Sequence, residues 1–264
     1  MDSPFTQTSA MRIAVFGVLA AVALSGCGGS KVLRKPEPLA VTPLLAAASD
    51  QRLAATLDWV IVRDGPGAWA KNVDWDEYLI RIQNLSDEPI RVTNITVFDS
   101  LGIRIDIGRN RRQLVDGTKQ TKRRYKDESL KVKAGVSAGL LMATGGVSAA
   151  VAAAVGTSAV AGYSSVAAAN SALVTGIIVA PALVIGGFIR GVNNSKVNRR
   201  IESRRTRLPV VLPEAQERSL DIFFPLAPSP QHIELTYVDS QGPHILVIDT
   251  QTALDGLHLE QAGK

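Results

Sequence analysis

Hydrophobic and polar residues alternate along short segments on either side of a long uncharged stretch. In residues 77–84, for example, Tyr78, Ile80 and Ile82 fall on one face of an extended chain. A period of two residues is that of a β-strand. The sequence predicts about eight strands, separated by turns rich in Asp, Asn, Gly and Pro, at residues 56–63, 77–84, 90–98, 103–107, 208–212, 219–224, 232–238 and 244–249.

Four of these strands precede the uncharged stretch and four follow it. Neither set is expected to be stable as a small open sheet. We therefore predict an α+β protein in which residues 51–108 and 207–264 form one antiparallel, Ig-like β-sandwich. Residues 109–206 are then an insertion in one connection. The Ala-rich residues 44–57 predict a short helix before the first strand.

The insertion contains 56 consecutive residues, 134–189, without Asp, Glu, Lys or Arg. Ten Lys/Arg and three Asp/Glu precede it in residues 109–133, and seven Lys/Arg and one Asp/Glu follow it in residues 190–207. Two membrane spans need about 40 apolar residues, so the composition predicts a helical hairpin with polar, basic helices at both ends. Small residues at four-residue spacing favour close helix packing, at Gly135, Gly139, Gly187 and Gly191.

Three placements of the hairpin are open: insertion into lipid, association with copies or a partner, and packing on the sandwich. A shared sandwich requires both ends of the insertion to lie on one side of any membrane. We predict that residues 134–189 contact lipid, with the basic ends on anionic headgroups.

The N-terminus has the proportions of a signal peptide. Arg12 precedes an apolar run, residues 13–24, that is too short to span a bilayer. The next residues, Leu24-Ser25-Gly26-Cys27, resemble the lipobox of bacterial lipoproteins. This resemblance covers the first 27 residues and implies removal of residues 1–26 and acylation of Cys27.

Two neighbouring features refine this expectation. Met11 makes a better start than Met1, because Asp2 is misplaced in a basic leader. The residue after the cysteine is Gly28 rather than Asp, and by resemblance to lipoproteins of diderm bacteria this implies sorting to the outer membrane, in its inner leaflet and facing the periplasm. Residues 27–50, with several prolines and glycines, predict a tether. The single cysteine leaves no partner for an intramolecular disulfide.

The sequence Gly-Val-Ser-Ala-Gly around Ser137 matches the nucleophile elbow of hydrolases, and Asp221, His232 and His244 follow it. An elbow needs a buried strand before the serine, but Lys131 and Lys133 occupy that place. A serine hydrolase is therefore a remote alternative, and we predict no enzyme.

Other candidate sites are weak. The three histidines, including His258, lack metal-ligand spacing, so we predict neither metal nor cofactor. Residues 74–77, "DWDE", are interpreted as a solvated strand entrance rather than a carboxylate pair. Trp59, Trp69 and Trp75 are predicted to be packed.

The function expected is that of a membrane-anchored, periplasm-facing lipoprotein that binds a protein partner or supports the envelope. A membrane-inserting glycine-zipper oligomer is the alternative. The basic runs do not indicate a nucleic-acid partner, because the leader directs export and Tyr125 is the only aromatic residue among them.

Overall fold

The computed structural model describes residues 30–36, 38–39, 44–135 and 185–260. Eleven strands and two helices lie within these residues. In chain order they are β1 (Lys31–Val32), β2 (Ala46–Ser49), β3 (Leu53–Ile61), β4 (Ala70–Lys71), β5 (Trp75–Asn84), β6 (Ile90–Phe98), β7 (Arg104–Asp106), α1 (Arg111–Asp127), α2 (Ile185–Arg204), β8 (Val210–Leu212), β9 (Glu217–Pro225), β10 (His232–Asp239) and β11 (Gly242–Asp249).

Two antiparallel sheets contain nine of these strands. The first sheet has the order β2-β3-β5-β9. The second has the order β11-β10-β6-β7, with β8 also paired to β6. Each sheet joins strands from before and after the uncharged stretch, since β9 pairs with β5 and β10 pairs with β6. The predicted α+β, antiparallel fold is confirmed.

The alternating residues of the strands form one hydrophobic core that both sheets share. From β5 it receives Tyr78, Ile80 and Ile82, each with no exposed surface. Tyr78 packs edge-on against Phe224 of β9, with ring centroids 5.1 Å apart. Burying side chains of this size stabilises the fold by about 1.5–3 kcal/mol each, so the alternation is the main determinant of these sheets.

The two helices cover the outer face of the first sheet. Leu114 of α1 and Val197 and Ile201 of α2 are fully buried against Trp75 and Phe223. The predicted polar helices on both sides of the uncharged stretch are therefore confirmed. Because the helices cover this face, β5 is buried on both sides rather than on one.

Helix α1 begins at a cap and passes close to the sheet. The side chain of Asn110 accepts a hydrogen bond from the backbone N–H of Gln113, at 3.0 Å, as favourable N-cap residues do. Halfway along, Gly117 approaches Pro225 so closely that a Cβ would lie 2.5 Å from the proline Cγ. A residue without a side chain is needed at this contact.

The short helix predicted for residues 44–57 is wrong. Ala46–Ser49 is an edge strand that pairs with β3, and Asp50 closes the turn by accepting hydrogen bonds from the backbone N–H groups of Arg52 and Leu53. Pairing and the burial of Leu45 override the helical preference of alanine. Both β1 and β2 lie within the segment predicted as a tether.

None of the helices in the described ranges has both the length and the apolar character needed to cross a bilayer. Residues 136–184, which make up most of the predicted hairpin, lie outside those ranges.

Candidate functional site

The start of the described chain and the start of the uncharged stretch meet at one end of the body. The Ser30 hydroxyl donates a hydrogen bond to the Asn72 carbonyl, at 3.0 Å, and Arg63 donates to the Asn72 side chain, at 2.9 Å. Gly135 lies against Arg63, since a Cβ on it would be 2.9 Å from the Arg63 carbonyl oxygen. We call the area formed by Ser30, Arg63, Asn72 and Gly135, together with Lys31 and Lys71, which adjoin Ser30 and Asn72 in the chain, the exit surface.

Helix α2 runs past the same surface. Near its C-terminal end, Arg204 contacts the first sheet at Glu77. Closer to its N-terminus, Asn198 accepts a hydrogen bond from the Arg111 backbone, and the Arg111 guanidinium donates to Ser30, at 3.3 Å. The helix begins at Ile185, and at 1.5 Å per residue its first residue lies about 20 Å along the axis from Asn198. The described residues at both ends of the uncharged stretch, Gly135 and the N-terminal part of α2, therefore lie on the side of the body that holds Ser30.

The exit surface carries an unusual pair of like charges. In the two-stranded ribbon of β1 and β4, Lys31 lies directly opposite Lys71, and both are exposed. Residues directly opposite each other in an antiparallel pair have Cβ atoms about 5 Å apart, where like charges are destabilising. Folding alone therefore gives no reason for this pair.

The outer face of the first sheet holds a cluster of buried charges that the sequence did not indicate. Glu77 accepts hydrogen bonds from Arg204, at 2.7 Å, and from the Trp69 indole N–H, at 2.8 Å. The Arg204 guanidinium lies 6.0 Å from the Trp69 ring centroid. Beside them, burial and then the neighbouring Glu77 carboxylate raise the pKa of Asp221 to about 7, and Arg204 opposes the rise. The cluster holds the C-terminal end of α2 on the sheet.

A second buried pair, Asp76 and His258, closes the end of the core. The carboxylate and the imidazole Nε2 lie 2.6 Å apart, and both side chains have no exposed surface. The other ring nitrogen lies 3.1 Å from the Lys133 carbonyl. Tyr78 lies nearby, and burial, followed by the Asp76 carboxylate, raises the pKa of its hydroxyl well above the usual value.

The predicted solvated entrance at residues 74–77 is wrong. Trp75, Asp76 and Glu77 are 3%, 0% and 1% exposed. Asp76 is in phase with Tyr78 and so points toward the core, while the helices cover Glu77. The two-residue period could have placed Asp76 inward, but nothing local pointed to His258, which lies 182 residues away in the chain.

The other sequence candidates have separate environments. Trp59, Trp69 and Trp75 are 3%, 6% and 3% exposed, which confirms their predicted packing. His232 and His244 lie on β10 and β11, as predicted, stacked on Phe98 and Tyr237. Asp221 lies in the other sheet.

The predicted glycine and serine sites are only partly described. Cys27, Ser137 and Gly139 lie outside the described residues, whereas Gly187 and Gly191 lie within α2. Gly135 lies in a bend with a φ of 94°. Within the described ranges, no group of three or more His, Cys, Asp or Glu is placed to hold a metal ion.

A groove of about 800 Å³ lies between β7 and α1. Four arginines and two aspartates line it, and two of the arginines are paired: Arg104 with Asp106, at 2.9 Å, and Arg112 with Asp116, at 3.7 Å. Small-molecule pockets are mainly apolar, so this polar lining fits a polar macromolecular surface better. The lining charges are Arg104, Arg109, Arg112, Arg124, Asp106 and Asp116.

Comparison of the chain with protein-family models, with curated proteins and with solved structures gives no match.

Proposed function

We propose that this chain is a bacterial envelope lipoprotein, acylated on Cys27 and held in the inner leaflet of the outer membrane with its body facing the periplasm. The observation that carries the proposal is the lipobox at residues 24–27, which ends three residues before Ser30, the first described residue, whose hydroxyl is hydrogen-bonded to Asn72. The shared position of both chain exits supports it, because a lipid on Cys27 and a hairpin at residues 134–189 could then reach the same membrane.

A processing experiment tests this proposal. The wild-type chain and a Cys27→Ser variant are expressed in a diderm bacterium and followed by pulse labelling and membrane fractionation. We expect the wild-type precursor to be shortened and recovered with the outer membrane, and the variant to remain unprocessed. A Cys27→Ser chain that is processed and fractionates as the wild type does would contradict the proposal.

The proposed body is an Ig-like sandwich interrupted by an Ala/Gly-rich hairpin, and its proposed role is binding or support rather than catalysis. Two antiparallel sheets with one common core support the first part. The separation of Asp221 from His232 and His244 supports a role in binding or support, because these possible catalytic partners of Ser137 lie in different sheets. No cofactor enters the proposal.

The binding partner proposed for the groove between β7 and α1 is an acidic protein segment. Arginines exceed aspartates along its walls by four to two. Crosslinking in intact envelopes from a photoreactive residue at Gln120, which lines the groove, is expected to capture such a partner. A residue at Gln241, in the turn between β10 and β11, is the control site.

A second candidate function is self-association through the hairpin. Because Gly187 and Gly191 lie four residues apart in α2, they share one helix face, the arrangement that allows close packing in lipid. Crosslinking of membranes should then give a ladder of oligomers that Gly187→Leu abolishes.

A further inference from the structure

We infer that the exit surface binds the anionic headgroups of the membrane in which Cys27 is anchored, through the opposed lysines Lys31 and Lys71. This inference rests on the proposed acylation of Cys27, and it assigns an orientation to the body that lipidation alone does not fix.

The distance from the anchor requires this surface to lie close to the lipid. Three residue steps separate Cys27 from Ser30, and a fully extended chain covers about 10 Å in that length. This is similar to the thickness of one headgroup layer, about 5–8 Å, and to the Debye length at physiological salt, about 8 Å. Lys31, the next residue, therefore lies within electrostatic range of the headgroups.

The opposed lysines supply charge that an anionic surface can neutralise. Lys31 and Lys71 face each other across the ribbon, and both are exposed. Among the described residues, no carboxylate lies within ion-pair distance of either ammonium group. Phosphate groups of a lipid surface would remove the repulsion between the two lysines, which gives the pair a role that its position in the fold does not explain.

The neighbouring charges favour the same partner. Arg63 lies 3.6 Å from Asp74, and Lys122 lies 3.3 Å from the same carboxylate. Lys131 and Lys133 both contact Glu260. Cations thus outnumber carboxylates around the exit surface by seven to three: Lys31, Arg63, Lys71, Arg111, Lys122, Lys131 and Lys133, against Asp64, Asp74 and Glu260.

The opposite end of the body has the reverse balance. There Arg52 contacts both Glu88 and Asp239, and the Tyr237 hydroxyl donates to Asp50, at 2.7 Å. Carboxylates outnumber cations at this end by six to four: Asp50, Asp87, Glu88, Glu214, Glu217 and Asp239, against Arg52, Arg81, Arg91 and Arg218. An anionic membrane would attract the exit surface and repel the far end, so the charge distribution itself orients the body.

The test uses the mature chain, residues 27–264, with Cys27→Ser so that no acyl chain contributes. Binding is measured by flotation with vesicles of phosphatidylglycerol and phosphatidylcholine, and with vesicles of phosphatidylcholine alone. The variant Lys31→Gln/Lys71→Gln is compared with Arg91→Gln/Arg218→Gln, which removes two exposed strand cations at the far end. Both variants keep residues 134–189, so the difference between them isolates the exit surface.

We expect the lysine variant to bind anionic vesicles about 30-fold more weakly, since each basic residue near such a surface contributes about a fivefold gain. The arginine variant should stay within about twofold of the parent, and high salt should remove the difference. Thermal unfolding checks the fold: the lysine variant should be no less stable, because it loses a repulsion.

Equal binding by the two variants, or equal binding of the parent to neutral and anionic vesicles, would overturn the inference. A fluorophore on Lys71→Cys should also shift to the blue on anionic vesicles, and one on Arg91→Cys should not; the reverse result would overturn the orientation. These assays do not involve acylation of Cys27. If Cys27 is not acylated in cells, the proposed function is refuted, whereas the vesicle-binding result is judged by these assays alone.

Discussion

Replacement of Asp221 by Asn should stabilise the protein at alkaline pH. The backbone at this position is held independently of the carboxylate, since its N–H donates to the Thr206 hydroxyl, at 2.9 Å, and its carbonyl accepts from the Thr206 N–H, at 2.8 Å. One carboxylate oxygen is buried and has no hydrogen-bond partner among the described residues. A neutral amide of the same shape therefore keeps the geometry and removes an ionisation that the site disfavours.

The magnitude follows from the pKa, which burial raises from 3.8 to about 7. One pKa unit corresponds to about 1.4 kcal/mol, so ionised Asp221 costs the folded state up to about 4 kcal/mol. Between pH 4 and 7 the unfolded chain loses its proton first, so stability falls as the pH rises and levels off above 7. Because the amide also loses its attraction to Arg204, we expect a net gain of about 2 to 4 kcal/mol at pH 8 and under 1 kcal/mol at pH 4.

Urea unfolding followed by circular dichroism, at several pH values between 4 and 8, measures this difference. Asp87→Asn is the matched control, because Asp87 is exposed in the turn after β5. Its stability should follow that of the parent at every pH. A variant at position 221 that is no more stable than the parent at pH 8, or whose gain is the same at pH 4 and pH 8, would refute the reasoning.

Three further substitutions test particular contacts by urea unfolding. His258→Ala should destabilise the fold by about 3 kcal/mol, because Asp76 is left buried and unpaired. The control His244→Ala, at a half-buried strand position, should cost under about 1 kcal/mol, and similar losses in the two variants would argue against the buried pair. Gly117→Ala should lower stability by about 1–3 kcal/mol despite the helix preference of alanine, because the added Cβ meets Pro225; a gain of stability would contradict the close approach. Gly135→Ala should cost more than Gly102→Ala, because both residues have positive φ but only the Cβ at 135 meets a backbone oxygen; equal costs would show that the contact with Arg63 is not formed.

The alternating pattern predicted strands β5 and β6 well. The strand predicted at residues 90–98 has the same bounds as β6. The strand predicted at residues 77–84 lacks only the first two residues of β5. Composition likewise predicted the polar helix α1. Residues 109–133 are rich in Lys, Arg and Gln and contain few of the apolar residues that a strand would bury. Local periodicity located both strands, although α1 and α2 also bury the outer face of β5.

Features that depend on distant contacts could not be predicted in this way. Ala46–Ser49 is a strand because β3 pairs with it, although its alanines favour a helix. The Asp76–His258 pair and the contact of Glu77 with Arg204 join residues more than 120 positions apart. Each depends on how the halves of the chain assemble, and no spacing within the sequence records that.

The most direct test of the central proposal is the mass of the N-terminal peptide of the protein purified from bacterial envelopes. We predict that this peptide begins at Cys27 and carries a thioether-linked diacylglyceryl group, with a further acyl chain on its amino group. An N-terminal peptide that begins at another residue, or an unmodified Cys27, would contradict the lipid anchor.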